Sequence, residues 1–175
     1  MAFRTVASRY PEEMAVGAAP ADLVRGHALG KAREVAARAG VPRPGAVLGA
    51  DTAVVLGDRT LGKPADAAEA RRMIAMLSGR DHVVMTGVAL VGAEEDVRHA
   101  ETLVRFRALT SEEIDWYVAT GEWRDRAGGY ALQGAGAVLI ERIEGDCTNV
   151  IGLPVPLVAE LLARSRLAPW QARRR

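Results

Sequence analysis

Hydrophobic and polar residues follow two different periods along this chain, and the places where the period changes predict its elements. Apolar side chains recur at helical spacing in some stretches, whereas β-branched runs and two-residue alternation mark others as strands. Helices are predicted at residues 21–39, 66–77, 110–121 and 157–163, and strands at residues 3–7, 46–55, 82–91, 101–109 and 137–143. Because helices and strands mix without strict alternation, the pattern predicts an α/β fold, bordering on α+β, around a mixed central sheet.

Residues typical of helix ends support these boundaries. Asp66 is a typical N-cap, and Thr110 with Glu113 forms the capping-box pattern. Gly121 ends the third helix. The glycine-rich stretch at residues 124–136 is longer than most connections in compact domains, which indicates that it carries a function.

The composition favours one globular domain and excludes several classes of function. The chain has 175 residues, of which 49% are hydrophobic, enough for one well-buried core. We therefore expect a single domain over residues 1–168 and an exposed basic tail over residues 169–175. A net charge of +1 gives no bulk basic field for nucleic acid, and Cys147, the single cysteine, cannot form an internal disulfide. Without an apolar leader or a long apolar run, we expect a soluble, cytoplasmic protein that binds no membrane.

An aspartate and a lysine in the first half of the chain suit phosphate chemistry. Asp51 follows the apolar residues 46–48, and a carboxylate at a strand end can hold a divalent cation or deprotonate a water. Lys63 follows twelve positions later, after a glycine turn, and its ammonium can neutralise a phosphate under attack. Both residues also have ordinary interpretations, since aspartate often forms turns and Gly-Lys-Pro is a common loop. The pair alone leaves a catalytic and a structural role open.

Seven short motifs, taken in order, resemble those of the Maf family of nucleoside triphosphate pyrophosphatases. They extend over most of the chain: Gly49-Ala50-Asp51-Thr52, Leu61-Gly62-Lys63-Pro64, Leu77-Ser78-Gly79-Arg80, Thr86-Gly87-Val88-Ala89-Leu90, Asp125-Arg126-Ala127-Gly128-Gly129-Tyr130, Leu132-Gln133-Gly134 and Asn149-Val150-Ile151-Gly152-Leu153-Pro154. Each string is common by itself, but their shared order is specific. The resemblance implies a bent sheet flanked by helices, a cleft between two lobes, and a homodimer.

The resemblance also implies an activity. Members of this family are cytoplasmic enzymes that hydrolyse a nucleoside triphosphate between its α and β phosphates with the help of Mg²⁺ or Mn²⁺. By the resemblance, Asp51 is the proton acceptor and a metal ligand, and Glu12 is a second metal ligand, since Mg²⁺ takes hard oxygen ligands. The residue before Glu12 is usually an aspartate in the family and is Pro11 here.

The remaining matches concern the substrate. Lys31 and Lys63 fall where the family places lysines on the phosphates. Thr52 and Gln133 match positions associated with substrate choice, and an amide offers both a donor and an acceptor to a base edge. Each has an ordinary counterpart: a surface lysine on a helix, or a glutamine that caps loop amides. The loop at residues 125–134 resembles that of the subgroup acting on dTTP and UTP.

Alternatives remain open at this point. One alternative is that the chain is a 7-methyl-GTP-type pyrophosphatase of the same family. The sequence also lacks the family's opening Ser-x-Ser-Pro-Arg-Arg loop, so we expect either a start further upstream or a catalytically impaired nucleotide-binding regulator linked to cell division. An exposed patch of Trp116, Trp123 and Trp170 would favour protein partners. The three histidines, His27, His82 and His99, have no spacing typical of metal ligands and receive no role.

Overall fold

The computed structural model describes residues 3–12, 17–41 and 44–171. Its helices are α1 (Pro20–Ala39), α2 (Ala67–Leu77), α3 (Ser111–Thr120), α4 (Cys147–Ile151) and α5 (Val155–Arg164), and its strands are β1 (Val47–Leu56), β2 (Arg59–Leu61), β3 (Asp81–Val91), β4 (Glu95–Phe106) and β5 (Ile140–Glu144). No helix within these described ranges is both long enough and apolar enough to cross a bilayer.

The strands form one five-stranded sheet in the order β2-β1-β3-β4-β5. β1 and β2 pair antiparallel with Val54 opposite Leu61, and β4 and β5 pair antiparallel with Val104 opposite Ile143. The predicted α/β architecture of one sheet with several helices is confirmed. The sheet is antiparallel, whereas the sequence pattern predicted a mixed sheet. Short turns join β1 to β2 and β3 to β4, and such connections make neighbouring strands antiparallel.

The described residues form two compact units. The first draws on Met1–Asp51, Thr86–Ala100 and Gly152–Arg175, and the second on Thr52–Met85 and Glu101–Ile151. Strands β1, β3 and β4 contribute residues to both units. The first unit contains two buried clusters of apolar side chains, and the second unit contains one larger cluster.

In the first unit, helices α1 and α5 cover opposite faces of β3. Alternate residues of β3 belong to two clusters, one formed by Ala28, Ala32, Ala89 and Val91, and the other by Val88, Leu90, Val158 and Leu161. Successive strand residues face opposite sides of a sheet, so this alternation fixes the two faces. A Cβ added at Gly87 would lie 2.2 Å from the carbonyl oxygen of Val24, so α1 lies directly on the strand backbone.

In the second unit, α2 and α3 pack on the sheet around several of the largest buried side chains among the described residues. This cluster includes Val54, Ile74, Leu77, Val84, Phe106, Tyr117, Tyr130 and Leu139. At its centre the His82 Nε2 and the Tyr130 hydroxyl are 2.8 Å apart, and both rings meet Phe106 edge to face. Asp66 caps α2, and Thr110 with Glu113 forms the predicted capping box on α3.

Most predicted elements occur within a few residues of their expected bounds, but several expectations were wrong. The predicted strand at residues 3–7 is irregular. The predicted strand at residues 137–143 begins only at Ile140, because a 3₁₀ turn occupies Gly134–Leu139. Strand β2 and helix α4 were not predicted; both are too short to show a period. Of the expected basic tail, the described part ends at Gln171, and residues 172–175 lie outside the described ranges.

The three tryptophans do not form the exposed patch considered above. Trp116 and Trp170 are exposed, but Trp123 is buried and its indole Nε1 donates to the carbonyl oxygen of Val118 at 2.9 Å. A buried indole usually needs such a partner, and here the contact fixes the turn after α3.

Candidate active site

Asp51 lies in the middle of β1 and is held by two side chains of α1. Its Oδ1 accepts a hydrogen bond from Lys31 Nζ at 2.6 Å, and its Oδ2 lies 3.1 Å from His27 Nδ1. Only 11% of the Asp51 side chain is exposed. Strand and helix come this close because Gly49 has no side chain; a Cβ there would lie 2.3 Å from the carbonyl oxygen of Ala28.

Lys31 joins two carboxylates. Its ammonium lies 2.7 Å from Glu12 Oε1 as well as 2.6 Å from Asp51 Oδ1. Burial opposes the charge of Lys31, but hydrogen bonds to Asp51 and Glu12 and the charges of both outweigh it, so the pKa of Lys31 is raised above its usual value. Lys31 is therefore a fixed positive charge between two acids at neutral pH.

The segment before α1 brings Glu12 to this place by running along the helix in the opposite direction. Glu34 Oε2 accepts hydrogen bonds from Ser8 Oγ at 3.1 Å and from the Arg9 N–H at 3.0 Å. One turn nearer the N-terminus of α1, the Tyr10 ring occupies the space over Gly30, where a Cβ would lie 2.3 Å from a ring carbon. Anchored at these two levels, the segment reaches Lys31 with Glu12. Ala7 is held on the same helix, since its carbonyl oxygen accepts from Arg38 Nη2 at 2.7 Å, and residues 3–7 do not form the predicted strand.

His27 is the functional candidate that sequence reasoning missed. It lies four positions before Lys31 on α1, so both side chains project from the same face of the helix. His27 is 7% exposed, and its Nδ1 contacts Asp51. The i, i+4 spacing of His27 and Lys31 within a predicted helix indicates a shared face, whereas the spacing between the three histidines gives no such signal.

The other predicted site residues belong to the second unit. Thr52 follows Asp51 in β1 and is partly buried, whereas Lys63 is exposed in the loop between β2 and α2. Gln133 is exposed and lies just before the 3₁₀ turn Gly134–Leu139. Of the six predicted residues, Glu12, Lys31 and Asp51 are in mutual contact through the lysine within the first unit.

A pocket of about 310 Å³ in the second unit surrounds Gln133. It is lined by Glu122, Arg126, Tyr130, Ala131, Leu132, Gln133, Gly134, Val150 and Ile151. Glu122 shapes the wall of this pocket: its two carboxylate oxygens accept the N–H groups of Ala135 at 3.0 Å and Gly136 at 3.1 Å. The mixture of apolar walls with a few polar groups is typical of small-molecule sites.

The residues around Lys31 fit a divalent cation that is held jointly by the protein and a ligand. No group of three His, Cys, Asp or Glu side chains suited to a metal occurs among the described residues. Asp51 and Glu12 nevertheless both reach one cation, the Lys31 ammonium. Mg²⁺ is commonly bound by one or two carboxylates together with phosphate oxygens and water. Two carboxylates at this point meet that requirement.

Comparison with known proteins identifies the family. The model of Maf-like proteins matches residues 1–165, so the chain belongs to this family. It is 54% identical over 156 residues to a dTTP/UTP pyrophosphatase of Symbiobacterium thermophilum, covering 87% of this chain and 78% of that protein. A dTTP/UTP pyrophosphatase of Moorella thermoacetica is 51% identical over 166 residues, covering 93% and 84%. One from Alcanivorax borkumensis is 47% identical over 154 residues, covering 87% and 79%.

Proposed function

We propose that this chain hydrolyses dTTP and UTP to the nucleoside monophosphate and pyrophosphate. The names of its relatives support the substrate class. The observation that carries the proposal is the largely buried carboxylate of Asp51, held by Lys31 at 2.6 Å within a chain of the Maf family. An anionic base beside a permanent cation is what attack of water on a phosphate requires.

The chemistry assigned to these residues is a single displacement. Asp51 accepts a proton from a water whose oxygen bonds to the α-phosphorus, while the bond from the α-phosphorus to the bridging oxygen breaks and pyrophosphate leaves. Lys31 supplies positive charge to the phosphates. A divalent cation, Mg²⁺ or Mn²⁺, would be held by Asp51 and Glu12 and would stabilise negative charge on the phosphate oxygens.

Three further residues have assigned roles in this proposal. Lys63 contacts the phosphates, and Thr52 and Gln133 take part in substrate choice. Gln133 borders the pocket described above. Its amide can pair with both the carbonyl oxygen and the ring N–H of uracil or thymine, because it offers one acceptor and one donor group. Such readout at one or two positions discriminates between bases by about 1–3 kcal/mol.

The proposal is tested by measuring pyrophosphate release from dTTP, UTP, CTP and 7-methyl-GTP with Mg²⁺ or Mn²⁺. We expect turnover with dTTP and UTP, and loss of turnover without a divalent cation. A preference for 7-methyl-GTP would show that the chain is a 7-methyl-GTP-type pyrophosphatase instead. Binding of triphosphate without any release would instead favour a nucleotide-binding regulator.

Two variants separate the assigned roles. Asp51→Asn should abolish turnover while triphosphate binding persists, because it removes the base with little change of volume. Lys63→Ala should weaken both turnover and phosphate affinity. Unchanged kinetics in either variant would remove that residue from the mechanism.

We further propose a homodimer as the working state, in line with the family resemblance. Sedimentation equilibrium gives the mass directly, and a mass of one chain over the whole concentration range would contradict this.

A further inference from the structure

We propose that His27 is a positioning residue, which fixes the orientation of the Asp51 carboxylate for proton transfer. The inference rests on the proposed function, because it assigns Asp51 the role of base. It concerns a residue that neither the motifs of the sequence nor the phosphate contacts include. His27 reaches the reaction only through Asp51.

The geometry gives each oxygen of Asp51 its own partner. Lys31 Nζ lies 2.6 Å from Oδ1, and His27 Nδ1 lies 3.1 Å from Oδ2. The terminal torsion of an aspartate is broad, so a contact to one oxygen leaves the plane of the carboxylate free to turn. A second contact from the same helix removes that freedom. His27 and Lys31 stand four residues apart on α1, one turn of a rigid element.

His27 is suited to hold a fixed direction. Its side chain is 7% exposed, and its ring meets the Tyr10 ring edge to face at 6.1 Å between centroids. To donate to a carboxylate, Nδ1 must carry the proton, and it does so both in the imidazolium and in one neutral tautomer. The hydrogen bond therefore does not require a change of charge on the imidazole.

Lys31 alone cannot guarantee the same orientation during the reaction. Its ammonium is shared between Asp51 and Glu12, and the proposed function also directs it to a phosphate. Contact with Glu12 and contact with a phosphate each compete with the hydrogen bond from Lys31 Nζ to Asp51 Oδ1. His27 contacts no phosphate in the proposed mechanism, so its contact with Asp51 persists when Lys31 engages the substrate.

The experiment compares steady-state kinetics of His27→Leu and His27→Asn with dTTP or UTP. The asparagine Nδ2 takes nearly the position of the histidine Nδ1 and can donate to Asp51, whereas leucine fills the volume without a donor. We expect His27→Leu to lower kcat about tenfold with KM changed less than about twofold, a modest share of what a positioned base contributes. His27→Asn should stay within about threefold of the unsubstituted chain.

If His27 served only to stabilise the helix, His27→Leu should lose less kcat than His27→Asn, because leucine is the better helix former. Equal losses in the two variants, or no loss in His27→Leu, would overturn the inference. His99→Leu, a change of the same kind on β4, is the control and should keep its kcat.

If His27→Leu fails to fold, His27→Gln replaces it. The glutamine amide reaches the position of Nε2 rather than Nδ1, so His27→Asn should retain at least about threefold more kcat than His27→Gln; equal values overturn the inference. Failure of the proposed function is distinguishable, because it appears in the unsubstituted chain. No pyrophosphate release from dTTP or UTP by that chain would reject the function and this inference together, whereas release that His27→Leu leaves unchanged rejects the inference alone.

Discussion

Lys31 Nζ on α1 lies 2.6 Å from Asp51 Oδ1 on β1, and the helix and the strand pack closely where β1 carries Gly49. The same ammonium also binds Glu12 at 2.7 Å. One lysine thus offsets the repulsion between two acids that would otherwise stand close together at partly buried positions. It also occupies the space between the carboxylates that a divalent cation would share.

Lys31→Met should therefore bind a divalent cation more tightly in the absence of nucleotide. Without the ammonium, both carboxylates are available to the metal and their mutual repulsion favours it. We expect affinity for Mn²⁺, measured by calorimetry without nucleotide, to rise about tenfold, while turnover is lost. Arg33→Met is the matched control: it removes one positive charge from the same helix, but from an exposed pair with Glu95. An unchanged Mn²⁺ affinity in Lys31→Met would show that the two carboxylates do not bind the metal together.

Gly49→Ala should damage both stability and activity. The added Cβ would lie 2.3 Å from the carbonyl oxygen of Ala28, which belongs to the helix backbone and cannot turn aside. β1 must then move away from α1, at a cost of about 1–3 kcal/mol, and Asp51 moves with it. Urea unfolding and pyrophosphate release measure the two effects.

Gly26→Ala is the control for that substitution. Gly26 also belongs to α1, but nothing lies within 4 Å of a Cβ at this position. Alanine should stabilise the helix there by about 1 kcal/mol and leave turnover unchanged. Equal effects of the two substitutions would show that the contact between α1 and β1 is not tight at Gly49.

The sequence predicted the strands and helices that are long enough to display a period. Helix α1 and strand β1 were placed within one residue or so, and the family motif drew attention to Asp51. The contact of Lys31 with Asp51 was not visible in any local pattern, because it joins residues twenty positions apart through the packing of a helix on a strand.

The failures have physical causes as well. Residues 3–7 were predicted as a strand, but they are irregular, and hydrogen bonds of the following residues to Glu34 dock the segment on α1. His27 was set aside because its role depends on the face of a helix rather than on spacing to another histidine. The position of Glu122 under the loop of Gln133 likewise depends on tertiary contacts between the turn after α3 and that loop.

Acid should destabilise the fold through His82. Its ring is 2% exposed, its Nε2 contacts the Tyr130 hydroxyl, and its Nδ1 has no hydrogen-bond partner among the described residues. Burial lowers the pKa of His82 from 6.5 to about 4, with the charge of Asp81 opposing the change. The unfolded chain therefore binds the proton more readily, so the stability that neutral His82 contributes is full above pH 6.5 and is lost as the pH falls toward 4.

Urea unfolding at pH 7 and pH 5 measures this loss. His82 alone should remove about 2 kcal/mol of the free energy of unfolding between these two values. In His82→Phe, the free energy of unfolding should fall by about 2 kcal/mol less between pH 7 and pH 5. Its value at pH 7 should nevertheless be lower than that of the unsubstituted chain, because Tyr130 loses a hydrogen-bond partner. Parallel pH dependences of the two proteins would contradict the buried, neutral state of His82.

Glu122→Gln should loosen the loop that carries Gln133. The two oxygens of Glu122 accept the N–H groups of Ala135 and Gly136, whereas a glutamine offers one oxygen and turns a donor toward the second N–H. An unsatisfied, partly buried N–H costs about 1–3 kcal/mol, which for a chain of this length lowers the Tm by about 2–12 °C. Because the loop borders the pocket, we expect KM for UTP to rise about threefold or more with a smaller change in kcat.

Glu160→Gln, an exposed change of the same kind on α5, should alter neither Tm nor KM. A Tm loss in Glu122→Gln with unchanged KM would show that the loop supports the fold but not the choice of substrate.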